Sequence, residues 1–526
     1  MILDVVANSL NEHTVRARVW RARLFSAGWL GTTLLLALLM GLFMVRGEAS
    51  VASLLWLAYL AGIVAILYRP RYGLYLIIFL ALVGDASLMP WYPFVKNFSS
   101  RESLLFVNDA LVISPMESYL VLMLISWLGR GAIQRKIQFY VSDLFWPAML
   151  FLGFAILGLI YGLGTGGNPN IGLWEIRPIF YLVLMMILTS NLLERREHVT
   201  SLVWAAMLAI FVESLVGDWF FLVTLGASLG GVQAITEHGA AIHMNTMFLL
   251  AMALWIFDST PARRLLLALM SLVVMLTYIA TQRRAAFLTL AIALPLLAIF
   301  LYRQNRRAFW VLVPAGGIIA LAYIATFWNN PGALGLPAQA VKSVIAQNQA
   351  SAGDQASNIY REIENVNTGF TIHQHPLTGV GFGQKFYFIV PLPDISFFLW
   401  WEYMPHNSII WIWLKMGVGG FVAMLYLVGL TLLVGVRVLL RMPRDEMSAI
   451  ALVATLYVVM HFIYAYADIS WDAQSMLYMG MMMGILASLE RIVARPVPPH
   501  PKRWPWQPDP VPPAGLLPIP NEVERG

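Results

Sequence analysis

Apolar and polar residues follow one another along the chain in long blocks, not at a period of two. Fourteen apolar runs have about the length (17–25 residues) that crosses a ~30 Å hydrocarbon core as helix. They are residues 24–45, 51–68, 72–90, 110–128, 142–163, 173–191, 199–225, 239–257, 265–281, 285–302, 309–328, 408–436, 448–466 and 472–490. Their continuity reads as membrane helix and not as barrel strand. The predicted fold class is an all-α polytopic integral membrane protein with about 14 transmembrane helices and one large extracytoplasmic loop. The chain divides into an N-terminal tail (1–23), helices one to eleven (24–328), an extracytoplasmic or periplasmic loop (329–405), helices twelve to fourteen (406–492) and a proline-rich tail (493–526).

Composition agrees with this pattern. Of 526 residues, 59% are hydrophobic and 12% charged, about half the usual charged share of a soluble domain. So much apolar surface cannot be hidden in a soluble globule, which excludes a soluble enzyme, a nucleic-acid-binding domain and a secreted disulfide scaffold. No cysteine is present, which removes disulfides, thiolate metal sites and cysteine nucleophiles.

The formal charge of +6 is distributed unevenly. With the N-terminus inside, every even-numbered connection is also inside. These connections carry Arg69 and Arg71; Arg130, Arg135 and Lys136; Arg195 and Arg196; Arg263 and Arg264; Arg303, Arg306 and Arg307; and Arg437, Arg441 and Arg444. Basic residues concentrate on the cytoplasmic side of membrane proteins, so both termini are expected in the cytoplasm. The basic start (Arg16, Arg18, Arg21, Arg23) before a long apolar run reads as a cytoplasmic tail and signal anchor, not a cleavable leader. The last segment, with eleven prolines among residues 496–520, is expected to be extended.

Some charges oppose this topology. Arg283 and Arg284 fall in the tight outside turn TQRRAAFL. Arginine donates two parallel hydrogen bonds and stays ionised, which suits phosphate; the competing reading is snorkelling to lipid headgroups. Arg177 lies in LWEIRPIF at an outer helix end, either facing an outward cavity or paired with Glu175. Arg361, in SNIYREIENV, is a third candidate clamp, or a loop partner of Glu362 or Glu364. His373 and His375 precede Pro376 without a companion ligand at a familiar spacing, which favours a turn over a metal site. Gly379, Gly381 and Gly383 in GVGFG follow no strand–helix unit and read as a tightly packed turn, not a dinucleotide fingerprint. His406, where the outside loop meets the twelfth run, is a candidate general base.

His406 and Asn407, nine further residues, then Gly417 and Gly420 form a motif that resembles the hallmark of the O-antigen ligase and polymerase family of bacterial polysaccharide assembly. The segment His375–Gly383 resembles that family's signature just upstream, and Arg284 with Leu288 its arginine-bearing outside turn. The matches cover roughly residues 280–440. The sequence departs from the family before its middle spans, where TEHGAAIHMNTM holds Asn245 but no arginine beside Glu237 and His238. The resemblance implies a metal-independent glycosyltransferase of the bacterial cytoplasmic membrane, with its active site on the periplasmic side and no cofactor.

Its donor would be a glycan on undecaprenyl diphosphate, and its acceptor another glycan or a lipid-A-core sugar. Arg283, Arg284, Arg361 and Arg177 would hold the diphosphate and His406 would act as base, with inversion at the anomeric carbon. The chain has no D-x-D pair for a metal–diphosphate chelate, so outside-facing arginines must stabilise the leaving group. Membrane lipids and polysaccharide assembly or export proteins are further candidate partners; nucleic acid is not. Two rivals stand beside this reading. One is a secondary transporter using Glu117, Glu213 and Asp218 as intramembrane proton sites. The other is a non-catalytic scaffold of an export complex.

Overall fold

The structure, a computed structural model, describes residues 51–494 apart from 95, 135–138, 230, 231, 233, 258, 331, 347, 349–351 and 394–399. The predicted span at 24–45 and the proline-rich tail therefore lie outside the described residues. The described residues contain helices and no strand. In chain order the helices are α1 (Val51–Tyr68), α2 (Arg71–Val83), α3 (Pro115–Ile133), α4 (Phe145–Gly164), α5 (Pro169–Leu192), α6 (Arg196–Trp219), α7 (Ala240–Ile256), α8 (Pro261–Ala280), α9 (Arg284–Gln304), α10 (Arg306–Phe327), α11 (Leu336–Ile345), α12 (Ala352–Gln374), α13 (Ser408–Arg441), α14 (Glu446–Ala467) and α15 (Ala473–Ala494).

Ten of the described helices are long and apolar enough to cross a membrane: α1, α4, α5, α6 with its π-helical extension to Thr224, α8, α9, α10, α13, α14 and α15. Two shorter apolar helices, α2 and α7, fall on two further predicted runs, and α3 falls on another. The run 72–90 ends early, because Asp85 turns the chain by accepting from the N–H groups of Ser87 (2.8 Å) and Leu88 (2.9 Å). The run at 110–128 starts late, where Ser114 and Glu117 form a reciprocal capping box on α3.

Burial sorts the helices into a centre and a rim. In α14, 83% of the apolar window is buried and in α15, 78%; in α10, none is. The centre is built from α5, α7, α14 and α15, while α1, α8, α9 and α10 present Leu, Ile and Val outwards, as a lipid-facing rim requires.

The connections gather at two ends. At one end, Arg71 meets His198 (2.7 Å), Arg196 meets Asp445 (2.6 Å), Arg263 meets Glu446, and Tyr140 donates to Asn191 (2.7 Å). These contacts join the connections predicted to be cytoplasmic. At the other end, Glu237 donates to Asp85 (2.7 Å), Thr236 bonds Thr281 (3.0 Å), and Asn168 donates to Gly383 (2.9 Å). These join connections predicted to be extracytoplasmic. Alternation of the chain between two ends is thus built into the contacts.

The long segment between α10 and α13 does not stay at the end of the bundle. Residues 375–384 wedge between α4, α5 and α13. Pro376 O accepts from Val418 N (3.0 Å) and Trp413 Nε1 (2.9 Å), Val380 N donates to Leu414 O (2.7 Å), and Phe382 N donates to Gly158 O (3.2 Å). Leu377 lies beside Gly417, nine residues into α13 and so ~13 Å along its axis. Irregular backbone at such depth requires its polar groups to be met by protein, and these bonds do so. Gly381 has φ +86° and a Cβ there would collide with the Gly162 backbone; Gly417 has φ +65°, breaks α13 and lies against Leu377 O. The tight turn expected of GVGFG is therefore a plug between helices.

A buried ion pair fixes that plug. Lys415 Nζ lies 2.9 Å from Glu175 Oε1, with both side chains sealed from solvent. Glu175 Oε2 accepts from Gly383 N (2.6 Å) and Lys415 donates to Gln384 O. Each charge has its counter-ion and further hydrogen bonds, without which burial would be prohibitive.

Candidate active site

His406 ends the segment that leads into α13, whose N-terminus is capped by Asn407 accepting from Ile410 N (3.1 Å). Its Nδ1 lies 2.8 Å from Glu364 Oε2, and its backbone N–H donates to the same oxygen (3.1 Å). Glu364 belongs to α12 and its side chain is 2% exposed, against 20% for His406. The carboxylate therefore fixes both the ring and the backbone of His406. With Nδ1 engaged, Nε2 is the nitrogen left to exchange a proton. Tyr360, one turn earlier on α12, packs edge-on to the imidazole at 5.7 Å. Burial first, then the Glu364 carboxylate, raise the Tyr360 hydroxyl above its ordinary value.

Arg361 shares that turn of α12 and reaches towards Asp468 (4.0 Å), in the connection between α14 and α15. His238 Nδ1 meets the other oxygen of Asp468 (2.9 Å). The Tyr464 hydroxyl sits between His238 O (2.5 Å) and Asp468 Oδ2 (3.2 Å), and Ser408 Oγ donates to Asp468 O (3.1 Å). Burial alone would push the Asp468 carboxyl up. The charge and hydrogen bond of His238, then Arg361 and Arg283, outweigh it and hold Asp468 below the usual carboxylate range.

Arg283 caps α9 and donates to Thr236 O (3.5 Å). Its charge acts on Asp468, Glu237 and Asp85. The Nε of Arg283 and of Arg361 are buried without a hydrogen-bond partner. The acidic groups around them differ. Burial, then Asp85 and Asp472, raise Glu237; burial raises Asp85 and Asp472 as well. Asp468 alone of these acids is held low, and the buried, unbonded Nε of Arg361 and Arg283 lie in the same cluster.

The structure brings His406, Arg361 and Arg283 into one neighbourhood around Glu364 and Asp468. Arg284 opens α9 beside them and is itself partnered. Arg177 has other company: it donates to Val112 O (2.8 Å) and Asn97 Oδ1 (3.3 Å), approaches Glu117 (3.5 Å) and lies over the Trp174 ring. Its ion partner is Glu117 and not Glu175, which is committed to Lys415. Arg361 pairs with Asp468 and not with Glu362 or Glu364. His373 is exposed and His375 bonds the Tyr387 hydroxyl (3.2 Å). Among the described residues no group of three or more His, Asp or Glu is arranged to hold a metal.

Two of the three acids of the transporter reading have local work. Glu117 completes the α3 capping box and accepts from Tyr181 (2.6 Å), and Asp218 accepts from Thr277 (2.5 Å). Glu213 is buried with one oxygen unpartnered. Sequence reasoning missed Asp468 altogether and named Glu364 only as a partner for Arg361. The signal for Asp468 was present: ADISWD places two acids in an outside connection, opposite in sign to the outside arginines.

Residues 265–425 match the family model of the O-antigen ligase. No curated protein matches the chain. The matched segment contains Arg283, Arg284, Arg361, the GVGFG plug and His406, and the resemblance to the O-antigen ligase and polymerase family is borne out there. At family level this match supports glycan transfer of the O-antigen ligase type, in a multi-pass membrane protein.

Proposed function

We propose that this site transfers a glycan from undecaprenyl diphosphate to a sugar hydroxyl at the outer face of the bacterial cytoplasmic membrane. The observation that carries the reading is the junction of the Glu364–His406 pair with two arginines whose Nε atoms are buried and unbonded. A histidine oriented by a carboxylate accepts a proton through its other nitrogen, and such positioned proton transfer contributes about 10²–10⁴-fold. Guanidinium groups with spare donors stabilise the charge that grows on a departing diphosphate.

The acceptor oxygen attacks the anomeric carbon and the new C–O bond forms. The acceptor proton passes to His406 Nε2. The bond from the anomeric carbon to the diphosphate oxygen breaks, and its electron pair leaves with undecaprenyl diphosphate. Attack opposite the leaving group inverts the anomeric configuration. Arg283 and Arg361 clamp the diphosphate and Arg284 extends the clamp. Arg177, through Val112 and Asn97, ties α5 to the segment before α3. Asp468 holds Arg361, Arg283 and His238 in register. The acceptor is a second lipid-linked glycan in a polymerase, or a lipid-A-core sugar in a ligase.

The test is transfer by purified protein from lipid-diphosphate glycan, offered each acceptor in turn, with and without EDTA. His406→Ala is expected to abolish transfer while donor binding survives. Undiminished transfer by that variant, or transfer that EDTA stops, would overturn the assignment.

A further inference from the structure

The donor's anionic head accounts for one part of a long molecule, and its apolar tail must reach the bilayer. We infer that the exposed ribbon Tyr387–Val390, continued by Leu377, is the track on which the polyprenyl tail leaves the cationic site for the membrane. This rests on the reading of the site given above.

Helix α12 serves as the ruler. Glu364 holds His406. Asn367, three residues on, accepts from the N–H groups of Ile389 (3.0 Å) and Val390 (2.9 Å) and donates to Val390 O (2.8 Å). Thr371, a further turn on, accepts from Tyr387 N (2.9 Å). The ribbon therefore runs antiparallel to α12. Val390 lies nearest the level of the base, and Tyr387 about 10 Å further along the axis. Past the end of α12, Leu377 stands beside Gly417, deep along α13. The side chains between these levels are open: Tyr387 is 47% exposed, Phe388 39%, Ile389 49%, Val390 37% and Leu377 75%.

The chemistry of the ribbon selects its occupant. Asn367 and Thr371 take up three backbone N–H groups of the ribbon and the carbonyl of Val390, and the side chains it offers are apolar. From Phe386 to Leu392 the sequence FYFIVPL holds no charge, and the Tyr387 hydroxyl is its one polar side-chain atom. A sugar, dense in hydroxyls, would exchange its water for almost no hydrogen bonds there, a costly trade. A branched hydrocarbon chain gives up nothing and removes apolar surface from water. The same helix α12 thus carries Glu364, which holds His406, and Asn367 and Thr371, which hold the ribbon, an arrangement that suits a ligand anionic at one end and apolar along its length.

Two measurements test the track. The first compares donors with the same glycan on undecaprenyl and on geranyl diphosphate. The parent protein is expected to favour the long donor in kcat/KM, and Ile389→Ser with Val390→Ser to shrink that preference on the order of tenfold. Ile389→Leu with Val390→Ile should retain it. An undiminished preference in the serine variant, or an equal loss with both donors together with a raised KM for acceptor, would overturn the track. The second needs no turnover. Undecaprenyl diphosphate carrying a diazirine in its first isoprene units should label the peptide spanning 387–390; labelling confined to other segments overturns the inference. Failure of the parent to transfer from either donor would instead sink the proposed reaction, while the labelling still decides where the tail lies.

Discussion

At the end of the bundle that carries Arg71, Arg196 and Arg263, each of these cations has its own partner: His198, Asp445 or Glu446. At the opposite end His238, Arg361 and Arg283 all act on the single carboxylate of Asp468. The same residue types thus act differently. One-to-one pairs tie helix ends together. A many-to-one arrangement holds cations close against their mutual repulsion, a state that a further anion relieves.

This comparison can be broken by experiment. The largest effect is expected at the base. His406→Ala should lower transfer by about 10²–10⁴-fold, read with purified protein, and leave the thermal transition in detergent in place; equal loss of both would make His406 structural. Arg361→Lys keeps the charge and discards the planar fork. It should reduce kcat/KM for a diphosphate donor on the order of 10- to 100-fold, and parity with the parent would refute geometric recognition of phosphate.

Arg196→Ala, at the paired end, should leave transfer intact and cost at most about 1 kcal/mol of stability, as half-exposed ion pairs do. A large loss of transfer in this variant would erase the distinction between the ends. The smallest effect concerns Glu237. Its folded-state value is raised by burial, then by Asp85 and Asp472, so the folded protein holds a proton that the unfolded chain releases. Stability from this group is full below the ordinary glutamate value and is lost as pH rises towards the raised one. Thermal melts should therefore fall with rising pH in the parent and less steeply in Glu237→Gln; parallel curves would remove Glu237 as the source.

Much of the fold was legible because lipid-facing and core-facing helices are both apolar, and length alone marks a span. His406, Arg283 and Arg361 stood out because each breaks the charge pattern around it. Their partners were hidden by distance along the chain. Glu364 lies 42 residues before His406, and Asp468 arrives only after two more spans. The pairing of Arg177 with Glu175 fails for a local reason: residues two apart on a helix do not face one another. Glu175 turns instead to Lys415 on α13, and Arg177 to Glu117 on α3. Arg361 and Glu362, adjacent in sequence, diverge for the same reason. The early end of α2 was illegible because apolar residues continue to Pro90 while a single aspartate folds the backbone away.

The plug formed by residues 375–384 also sets an order of assembly. Its groove is half made by α13, which follows it in the chain, and the carboxylate that gathers the arginines comes later still, after α14. In a nascent chain Arg361 and His406 are therefore made well before the aspartate they gather around. Biosynthesis delivers an inert loop first and arms it last, once the final helices have left the insertion machinery and closed around it. A truncation that spares every arginine and the base, yet stops short of Asp468, should thus be as silent as one that removes them.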